Sequence, residues 1–393
     1  VVCEVPGYPL VTGCPTYVRE AREAVEPVRA RACDPMDLEK GPGPAHPTRV
    51  LLRLLASPNI ADKTWIYRQY DSTVRTNTVA APGGDAGVLR LRHTRKGLAA
   101  TMDCNGRYCW LNPRRGGMIA VAEAARNLAC VGARPRAVTD NLNFGNPLKP
   151  EVYYQMKEAV EGIAEACARL ETPVVSGNVS LYNENPKGAI HPTPVIGMVG
   201  VLDDVSKRVA MAFTAPDDAI VLLGENTVQL GGSEYMSVVH GQVIGDAPAV
   251  DLDAEKALIE CLLDLSDRQL LHSAHDCAEG GLAVALAESA MANRLRPAGV
   301  QVALEDQLHG APLLFGESQG RVVLSCAPGD LEAVLDAARR HGVPARRIGT
   351  VGAPNGRFVI STKTAPTIDA PIGDLLVAWE SAIPRGMERA VEV

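Results

Sequence analysis

Apolar and polar positions along this chain repeat with two different periods, which predict a mixture of strands and helices. Short alternating or wholly apolar runs predict strands near residues 87–91, 138–139, 174–176, 219–223, 321–325, 347–351 and 358–361. Apolar residues at steps of three and four predict helices near 118–130, 150–170, 254–271, 281–292 and 330–341. We therefore expect a mixed α+β and α/β fold built from packed layers.

Composition shifts divide the chain into four predicted segments. Residues 1–23 read like the end of a domain, and the chain opens on Val1 instead of Met. Pro, Gly and alternating charge dominate the stretch that follows, which predicts a linker without helix or strand over 24–60. Residues 61–204 and 205–393 each combine strands with helices and are predicted to form two domains.

Composition and charge narrow the class of protein. The chain is 46% hydrophobic and 22% charged, as expected for a globular protein, and its net charge of −7 gives no basic field for nucleic acid. No apolar run reaches the roughly 18 residues of a membrane span. The ten cysteines contain no CxxC pair, which favours reduced thiols. We expect a soluble cytoplasmic protein that binds neither nucleic acid nor membrane.

Two polar segments, VTDNLNFGNP and VVSGNVSLYNEN, follow predicted strands and could carry chemistry. The first contains Asp140, and the second contains Gly177, Asn178 and Ser180. Carboxylate and amide oxygens suit Mg²⁺ completed by substrate phosphates, and glycine lets a backbone approach a ligand closely. The alternative is that Asn, Gly and Ser only build turns here. For two such segments at matching strand ends, the residues alone leave both interpretations open.

Two further segments bring acidic residues next to glycine. LLHSAHDCAEGG places Asp276 and Glu279 before a predicted helix, where they could bind a metal or simply cap the helix. His275 in the same segment could be a base or a hydrogen-bonded structural residue. LLFGESQGRVVLS contains Glu317, Ser318 and Gln319 between two apolar runs. The chain has neither a GxxxxGK[ST] phosphate loop nor a GxGxxG turn, so a bound ATP would need a different fold.

Seven blocks of sequence, in this order along the chain, carry a resemblance to a known family. They are DCNGRY, AVAEAARNLACVGARPRAVTDNLNFGNP, PVVSGNVSLYNEN, PTPVIGMVG, LGGSEY, SAHDCAEGGLAVALAESA and GESQGR. Together they resemble the synthetase subunit of phosphoribosylformylglycinamidine synthase, in its small, glutaminase-free form. The resemblance extends over essentially the whole chain and matches the C-terminal half of that subunit.

The resemblance implies an architecture of two tandem copies that form a pseudo-dimer. Residues 61–204 resemble an aminoimidazole-ribonucleotide-synthetase-like N-terminal domain, and residues 205–393 resemble the accompanying C-terminal αβ domain. Residues 1–23 resemble the tail of the preceding copy. The N-terminal half of the same subunit is therefore expected to be a separate or missing partner.

The implied activity is ATP-dependent amidation of formylglycinamide ribonucleotide in purine biosynthesis. The family uses ATP and Mg²⁺, and it takes ammonia from a glutaminase subunit in a complex with a small accessory subunit. The catalytic residues are expected upstream, and none in this half; the loop over 103–107 contains no histidine. The isolated chain is accordingly expected to be inactive without the N-terminal half.

The resemblance also implies roles for individual residues. Asp140 and Gly177 match ATP contacts, Asn178 matches a magnesium ligand, and Ser180 matches a substrate contact. A second set matches an auxiliary site that holds a structural nucleotide in some members: Asp103, Asp276, Glu317, Ser318 and Gln319.

Two other functions remain open at this point. One is a kinase or synthetase of the same fold that acts as a dimer, such as a selenophosphate synthetase or a thiamine-monophosphate kinase. Those enzymes would be expected to carry a Gly-rich, acidic N-terminal segment, which VVCEVPGYPL is not. The other is a non-catalytic module that binds a nucleotide for assembly.

Overall fold

Five helices precede the first sheet in this computed structural model, which describes residues 1–14, 16–40 and 46–391. They are α1 (Gly7–Val11), α2 (Val25–Arg31), α3 (Met36–Glu39), α4 (Pro47–Leu55) and α5 (Thr64–Tyr67). The prediction of a linker without helices over 24–60 is therefore wrong in its described part. Residues 41–45 of that predicted linker lie outside the described residues.

The first sheet has six strands in the order β1-β2-β3-β8-β4-β5. Its strands are β1 (Thr78–Ala80), β2 (Gly87–Arg90), β3 (Gly97–Asp103), β4 (Arg134–Asn143), β5 (Val174–Ser180) and β8 (Thr193–Leu202). A separate hairpin pairs β6 (Glu184–Asn185) with β7 (Gly188–Ala189). Neighbouring strands are antiparallel except β4 and β5, which run parallel and leave β5 at the edge.

Three helices accompany this sheet: α6 (Gly106–Leu111), α7 (Pro113–Cys130) and α8 (Pro150–Leu170). Helices α7 and α8 cover one face of the sheet and cross closely. A Cβ on Gly162 would lie 1.9 Å from the carbonyl oxygen of Arg114, and one on Gly117 would lie 2.5 Å from that of Ala159. Glycine at these positions therefore allows the two backbones to touch.

The polar segments near 140 and 178 belong to strands and not to loops. β4 continues to Asn143 and β5 continues to Ser180, so the prediction that these segments follow strands is wrong. In β4 only alternate residues, such as Val138 and Leu142, are buried, because one face of the strand is turned away from the helices. Thr139 and Asn141 occupy that other face, whereas Asp140 shares the face of Val138 and Leu142.

The second sheet has seven strands in the order β10-β12-β9-β13-β11-β14-β15. Its strands are β9 (Ala219–Leu223), β10 (Ser273–Asp276), β11 (Ala298–Leu304), β12 (Val322–Cys326), β13 (Ala345–Pro354), β14 (Arg357–Thr362) and β15 (Ile368–Pro371). Its helices are α9 (Glu234–His240), α10 (Leu252–Asp267), α11 (Gly281–Met291), α12 (Gly310–Phe315), α13 (Leu331–Arg340) and α14 (Ile372–Val391). The expected mixed α/β fold is confirmed.

The error over the predicted linker has a physical cause in α4. Pro47 occupies the first turn of this helix, where proline does not interrupt the hydrogen bonding. Val50, Leu51, Leu54 and Leu55 are at most 1% exposed and join the core beside α9, α11 and α14. Burial of this apolar stripe therefore stabilises a helix despite the Pro and Gly residues that precede it in the sequence.

One apolar core runs across the predicted boundary between residues 204 and 205. It joins the helix-covered face of the first sheet to residues of β9, β12 and α13, and α10 packs directly on α7 and α8. The division into domains at 204 stays a prediction. Across residues 1–14, 16–40 and 46–391, the structure contains no helix with the length and hydropathy that crossing a bilayer requires.

Candidate functional site

Asp140 and Gly177 lie side by side on neighbouring parallel strands, and the Asp140 carboxylate occupies the space of a side chain at Gly177. The two residues are paired in the β4–β5 register. A Cβ built on Gly177 would lie 1.9 Å from Oδ1 of Asp140. Partial burial raises the pKa of the Asp140 carboxyl above its ordinary value. The structure thus brings these two predicted nucleotide-binding residues together and leaves no room for a larger residue at 177.

Asn178 and Ser180 lie on the opposite face of the same strand pair. Asp140 is paired with Ile196, which is fully buried on the helix-covered face. Because successive strand residues point to opposite faces, Asn178 and Ser180 point to the other side of the sheet. We call that side the open face; its residues Met102 and Val199 are 72% and 41% exposed. The predicted nucleotide and metal contacts therefore surround the β5 edge from two sides.

A ladder of polar side chains covers the outer strands of the open face. It consists of Thr139, Asn141 and Asn143 on β4 and Ser176, Asn178 and Ser180 on β5, in matching register. A cleft of about 490 Å³ opens over part of this polar ladder.

Four members of the polar ladder are held by hydrogen bonds to other residues. Ser176 Oγ donates to Thr139 Oγ1 at 2.8 Å, Asn143 Nδ2 donates to the Thr193 carbonyl at 3.1 Å, and Asn183 Nδ2 donates to Ser180 Oγ at 3.1 Å. Within the described part of the chain, the side chains of Asn141 and Asn178 have no hydrogen-bond partner. These two amides are therefore available to a ligand.

The donor set around the β5 edge fits a magnesium–nucleotide complex. Among the described residues, no group of three or more His, Cys, Asp or Glu is placed to hold a metal ion. Mg²⁺ is commonly held by one or two protein oxygens, with waters and substrate phosphates completing its shell. Two unpaired amides on the open face and a carboxylate across Gly177 supply oxygens of that kind.

A second candidate site is a cavity of about 340 Å³ between the two sheets. Asp103 at the end of β3 and Asp276 at the end of β10 both line it, together with Glu123 and Asn127 of α7. Asn127 Nδ2 donates to Asp103 Oδ1 at 2.8 Å. We call this space, defined by these four residues, the acidic cavity. Asp103 and Asp276, which are distant in sequence, thus line the same cavity, and their role as an auxiliary nucleotide site stays a prediction.

Burial raises the pKa of two carboxyl groups of the acidic cavity, those of Asp103 and Glu123. It raises the pKa of Asp103 to about 8, with additional repulsion from Asp276 and Glu279. Burial, followed by repulsion from Glu279, also holds the pKa of Glu123 well above its ordinary value. The Glu123 side chain is 8% exposed and has no hydrogen-bond partner among the described residues. A cation carried into the cavity by a ligand would favour the ionised form of these two carboxyl groups.

Fixed positive charges lie behind and beside the acidic cavity. Arg126 is fully buried and donates to both oxygens of Asp276, at 2.8 and 3.2 Å, and to Glu255 at 2.6 Å. The ring nitrogens of His275 lie 3.0 Å from Asp85 and 3.2 Å from Glu288. Burial lowers the pKa of His275, but these two carboxylates outweigh it and hold the pKa well above the ordinary value.

Sequence reasoning missed Glu123 and Asn127. They are four residues apart on α7, which places them on one side of the helix, and nearly every neighbouring residue of that helix is apolar and buried. The Glu-x-x-x-Asn pair within an alanine-rich predicted helix could have indicated that these two polar residues belong to a site.

The three residues of the GESQ segment lie behind the acidic cavity and do not line it. Glu317 is fully buried and accepts from the backbone N–H groups of Glu234 at 2.8 Å and Gly280 at 2.7 Å. Ser318 Oγ accepts from the N–H of Thr227 at 3.1 Å, and Gln319 Oε1 accepts from Arg126 at 3.1 Å. Their contacts in this structure are internal, so a ligand role for them stays a prediction.

Comparison with known proteins places this chain in a family. Residues 83–202 match the family model "AIR synthase related protein, N-terminal domain", and residues 215–361 match "AIR synthase related protein, C-terminal domain". The chain is 51% identical over 391 residues to the "Phosphoribosylformylglycinamidine synthase subunit PurL" of Moorella thermoacetica, covering 99% of this chain and 52% of that protein. The chain therefore spans about half the length of the curated relatives it matches.

Solved structures show the same fold. "T. maritima PurL complexed with FGAR" superposes with a TM-score of 0.69 at 20% identity, covering 90% of this chain and 56% of that one. "T. maritima PurL complexed with ATP" gives a TM-score of 0.65 at 21% identity, covering 90% and 55%. At these identities the likeness concerns the fold alone.

Proposed function

Because this chain belongs to the AIR synthase related family that includes the phosphoribosylformylglycinamidine synthase subunits, we propose that it supplies one half of an ATP-dependent carbon–nitrogen ligase. The reaction is the conversion of the amide of formylglycinamide ribonucleotide to an amidine. The amide oxygen is phosphorylated by ATP, and ammonia then displaces phosphate. A relative's structure with FGAR and another with ATP support this choice of substrates.

In this proposal the chain contributes the nucleotide side of a shared active site. Asp140 and Gly177 contact ATP on the helix-covered face of β5, Asn178 binds Mg²⁺ on the open face, and Ser180 orients the substrate. Bound Mg²⁺ supplies charge stabilisation for the transferred phosphoryl group. The catalytic groups come from the remaining half of the subunit.

The observation that carries the proposal is the packing of Asp140 over Gly177. A Cβ at Gly177 would lie 1.9 Å from the carboxylate, so this position is built for a bare backbone beside a carboxyl group. Packing within the sheet does not require this arrangement, because β5 is an exposed edge strand with few residues packed against it. A nucleotide that approaches the backbone closely accounts for it.

The open face is the proposed contact surface for the remaining half of the subunit. Its exposed apolar residues include Leu89, Met102 and Val199, and the polar ladder lies at their border. Curated relatives are about twice as long as this chain, which provides a covering segment of suitable size. Ammonia is proposed to come from a separate glutaminase subunit, in a complex with a small accessory subunit.

The test is ammonia-dependent ADP release with formylglycinamide ribonucleotide, measured on this chain with and without the remaining half of the subunit. We expect turnover only from the reconstituted pair, and a loss of at least about tenfold in Asp140→Ala and Asn178→Ala. Asn293→Ala, an amide on the second sheet's side of the molecule, is the matched control. Turnover by the chain alone would refute the half-site assignment, and unchanged turnover in both variants would refute the residue assignment.

A second candidate function is a nucleotide held in the acidic cavity for assembly. The buried Glu123 carboxyl, which has no hydrogen-bond partner among the described residues, favours it, because a bound cation stabilises the ionised form of this carboxyl and of Asp103. We expect Mg²⁺ with ADP to raise the melting temperature of the chain, and Glu123→Gln to abolish that rise while Asn178→Ala preserves it. An equal rise in Glu123→Gln would exclude the acidic cavity as the site.

A further inference from the structure

Asn141 occupies the same position on β4 that Asn178 occupies on β5. The two residues are direct partners in the parallel register, and both side chains point to the open face. Adjacent strands lie about 4.8 Å apart. Two side-chain oxygens at that spacing can both reach an ion that takes ligands at about 2.1 Å.

The hydrogen bonds of the polar ladder single out this pair. Thr139 and Ser176 bond to each other, Asn143 is tied to the backbone of Asn141 and Thr193, and Ser180 is tied to Asn183. In the part of the chain that the structure describes, the amides of Asn141 and Asn178 alone among the six lack a protein partner. Both can therefore turn their oxygens to a ligand without breaking an existing bond.

The side chain of Asp140 leaves β4 on the face opposite to that of Asn141 and Asn178. Its carboxylate lies over Gly177 on the helix-covered face, whereas the two free amides lie on the open face. For an ion on the open face that takes a second protein oxygen, Asn141 is the nearest unpaired amide in the register.

We propose that Asn141 is a second amide ligand, beside Asn178, for the magnesium ion of the bound nucleotide. This assignment rests on the proposed function, because it presumes that Asn178 binds the metal. Asn141 is not among the residues that the resemblance implies. With Asn141 as a ligand, the metal site is formed by residues of both β4 and β5. Removal of either amide is then expected to weaken the binding of the same ion.

A ligand replacement tests the proposal directly. Asn141→Cys, Asn178→Cys and the control Asn293→Cys are titrated with Cd²⁺ in the presence of ATP, and the ultraviolet band of cadmium–thiolate coordination is measured against the unsubstituted chain. Thiolate is a soft ligand that favours Cd²⁺ over Mg²⁺. We expect an ATP-dependent band in the first two variants and none in the control.

The outcomes separate this inference from the function on which it rests. A band in Asn178→Cys without one in Asn141→Cys overturns the role of Asn141 and leaves the metal site in place. No band in either variant overturns the metal site itself. An equal band in Asn293→Cys shows adventitious cadmium and also overturns the proposal.

A second measurement covers variants that bind no cadmium for steric reasons. Electron paramagnetic resonance of Mn²⁺ with ATP should show affinity about tenfold weaker in Asn141→Ala and restored in Asn141→Asp, which keeps an oxygen at the same place. Equal affinity in Asn141→Ala and the unsubstituted chain would contradict a ligand role.

Discussion

The guanidinium of Arg126 donates hydrogen bonds to both carboxylate oxygens of Asp276, at 2.8 and 3.2 Å, and so links α7 to β10 inside the protein. The two side chains are 0% and 3% exposed. Glu255 of α10 completes the cluster at 2.6 Å from Arg126. A single cation from residues 61–204 thus balances two buried carboxylates from residues 205–393, on the other side of the predicted domain boundary.

Arg126→Met is expected to destabilise the chain strongly, because it leaves Asp276 and Glu255 buried without a counter-charge. The free energy of unfolding should fall by about 3–5 kcal/mol, measured by urea denaturation. The control is Arg134→Met, which removes an ion pair to Glu260 whose side chains are 43% and 39% exposed. That loss should be below about 1 kcal/mol. Equal losses in the two variants would contradict a special role for the buried cluster.

Gly177→Ala should reduce nucleotide affinity with little effect on stability. The new Cβ would lie 1.9 Å from Oδ1 of Asp140 and must displace the carboxylate. We expect binding of ATP to weaken by at least about tenfold in calorimetric titration. Gly329→Ala is the control, because a Cβ there meets nothing within 4 Å.

A double variant shows whether the clash is the cause. Once Asp140→Ala has removed the carboxylate, adding Gly177→Ala should weaken ATP binding by less than it does in the unsubstituted chain, because only the close approach of the nucleotide to the Gly177 backbone is then lost. Additive losses would mean that Gly177 serves the nucleotide independently of Asp140.

The sequence predicted the helices around the candidate sites better than the strands that carry them. The stripes of α7 and α8 have the period of a helix packed on one side, and both helices lie where they were predicted. The strands that were not predicted are β1, β3, β6, β7, β8, β10, β11 and β15. In β8, apolar residues such as Val195 and Val199 also occupy the open face, so no polar alternation marks this strand.

The acidic cavity could be predicted only in part, because its residues come from distant elements. Asp103 and Asp276 were named from their motifs, but nothing local shows that Glu123 of α7 meets them. The Asp140–Gly177 contact depends on the β4–β5 register, which a sequence does not state. Likewise, alternation alone could not reveal that Asp140 and Asn178 point to opposite faces, since both segments were predicted as loops.

Stability should fall with rising pH because Glu317 holds its proton in the folded chain. Burial raises its pKa from 4.5 to about 7, although Arg107 opposes the shift, and Glu279 adds to it. Glu234 and Tyr108 also face this carboxyl through the N–H and hydroxyl groups that it accepts. Between about pH 4.5 and 7 the unfolded chain releases a proton that the folded chain keeps, so stability decreases across that window by up to about 3 kcal/mol.

Glu317→Gln isolates this contribution, because glutamine has the shape of the protonated side chain and does not titrate. Urea midpoints measured at several values between pH 4.5 and 7.5 should decline less steeply in Glu317→Gln than in the unsubstituted chain. Identical slopes would show that Glu317 titrates normally in the folded state.

Val199→Glu should block association with the remaining half of the subunit while leaving the chain folded. Val199 is 41% exposed at the centre of the open face, so a carboxylate there stays hydrated in the isolated chain. Covering it with another protein surface would bury an unpaired charge and weaken association by at least about tenfold. Sedimentation of the chain with the separately produced half measures this, and Val377→Glu on α14, at 57% exposure, is the control. If both variants associate as tightly as the unsubstituted chain, the open face is not the contact surface, and the polar ladder at its border must act without a covering partner.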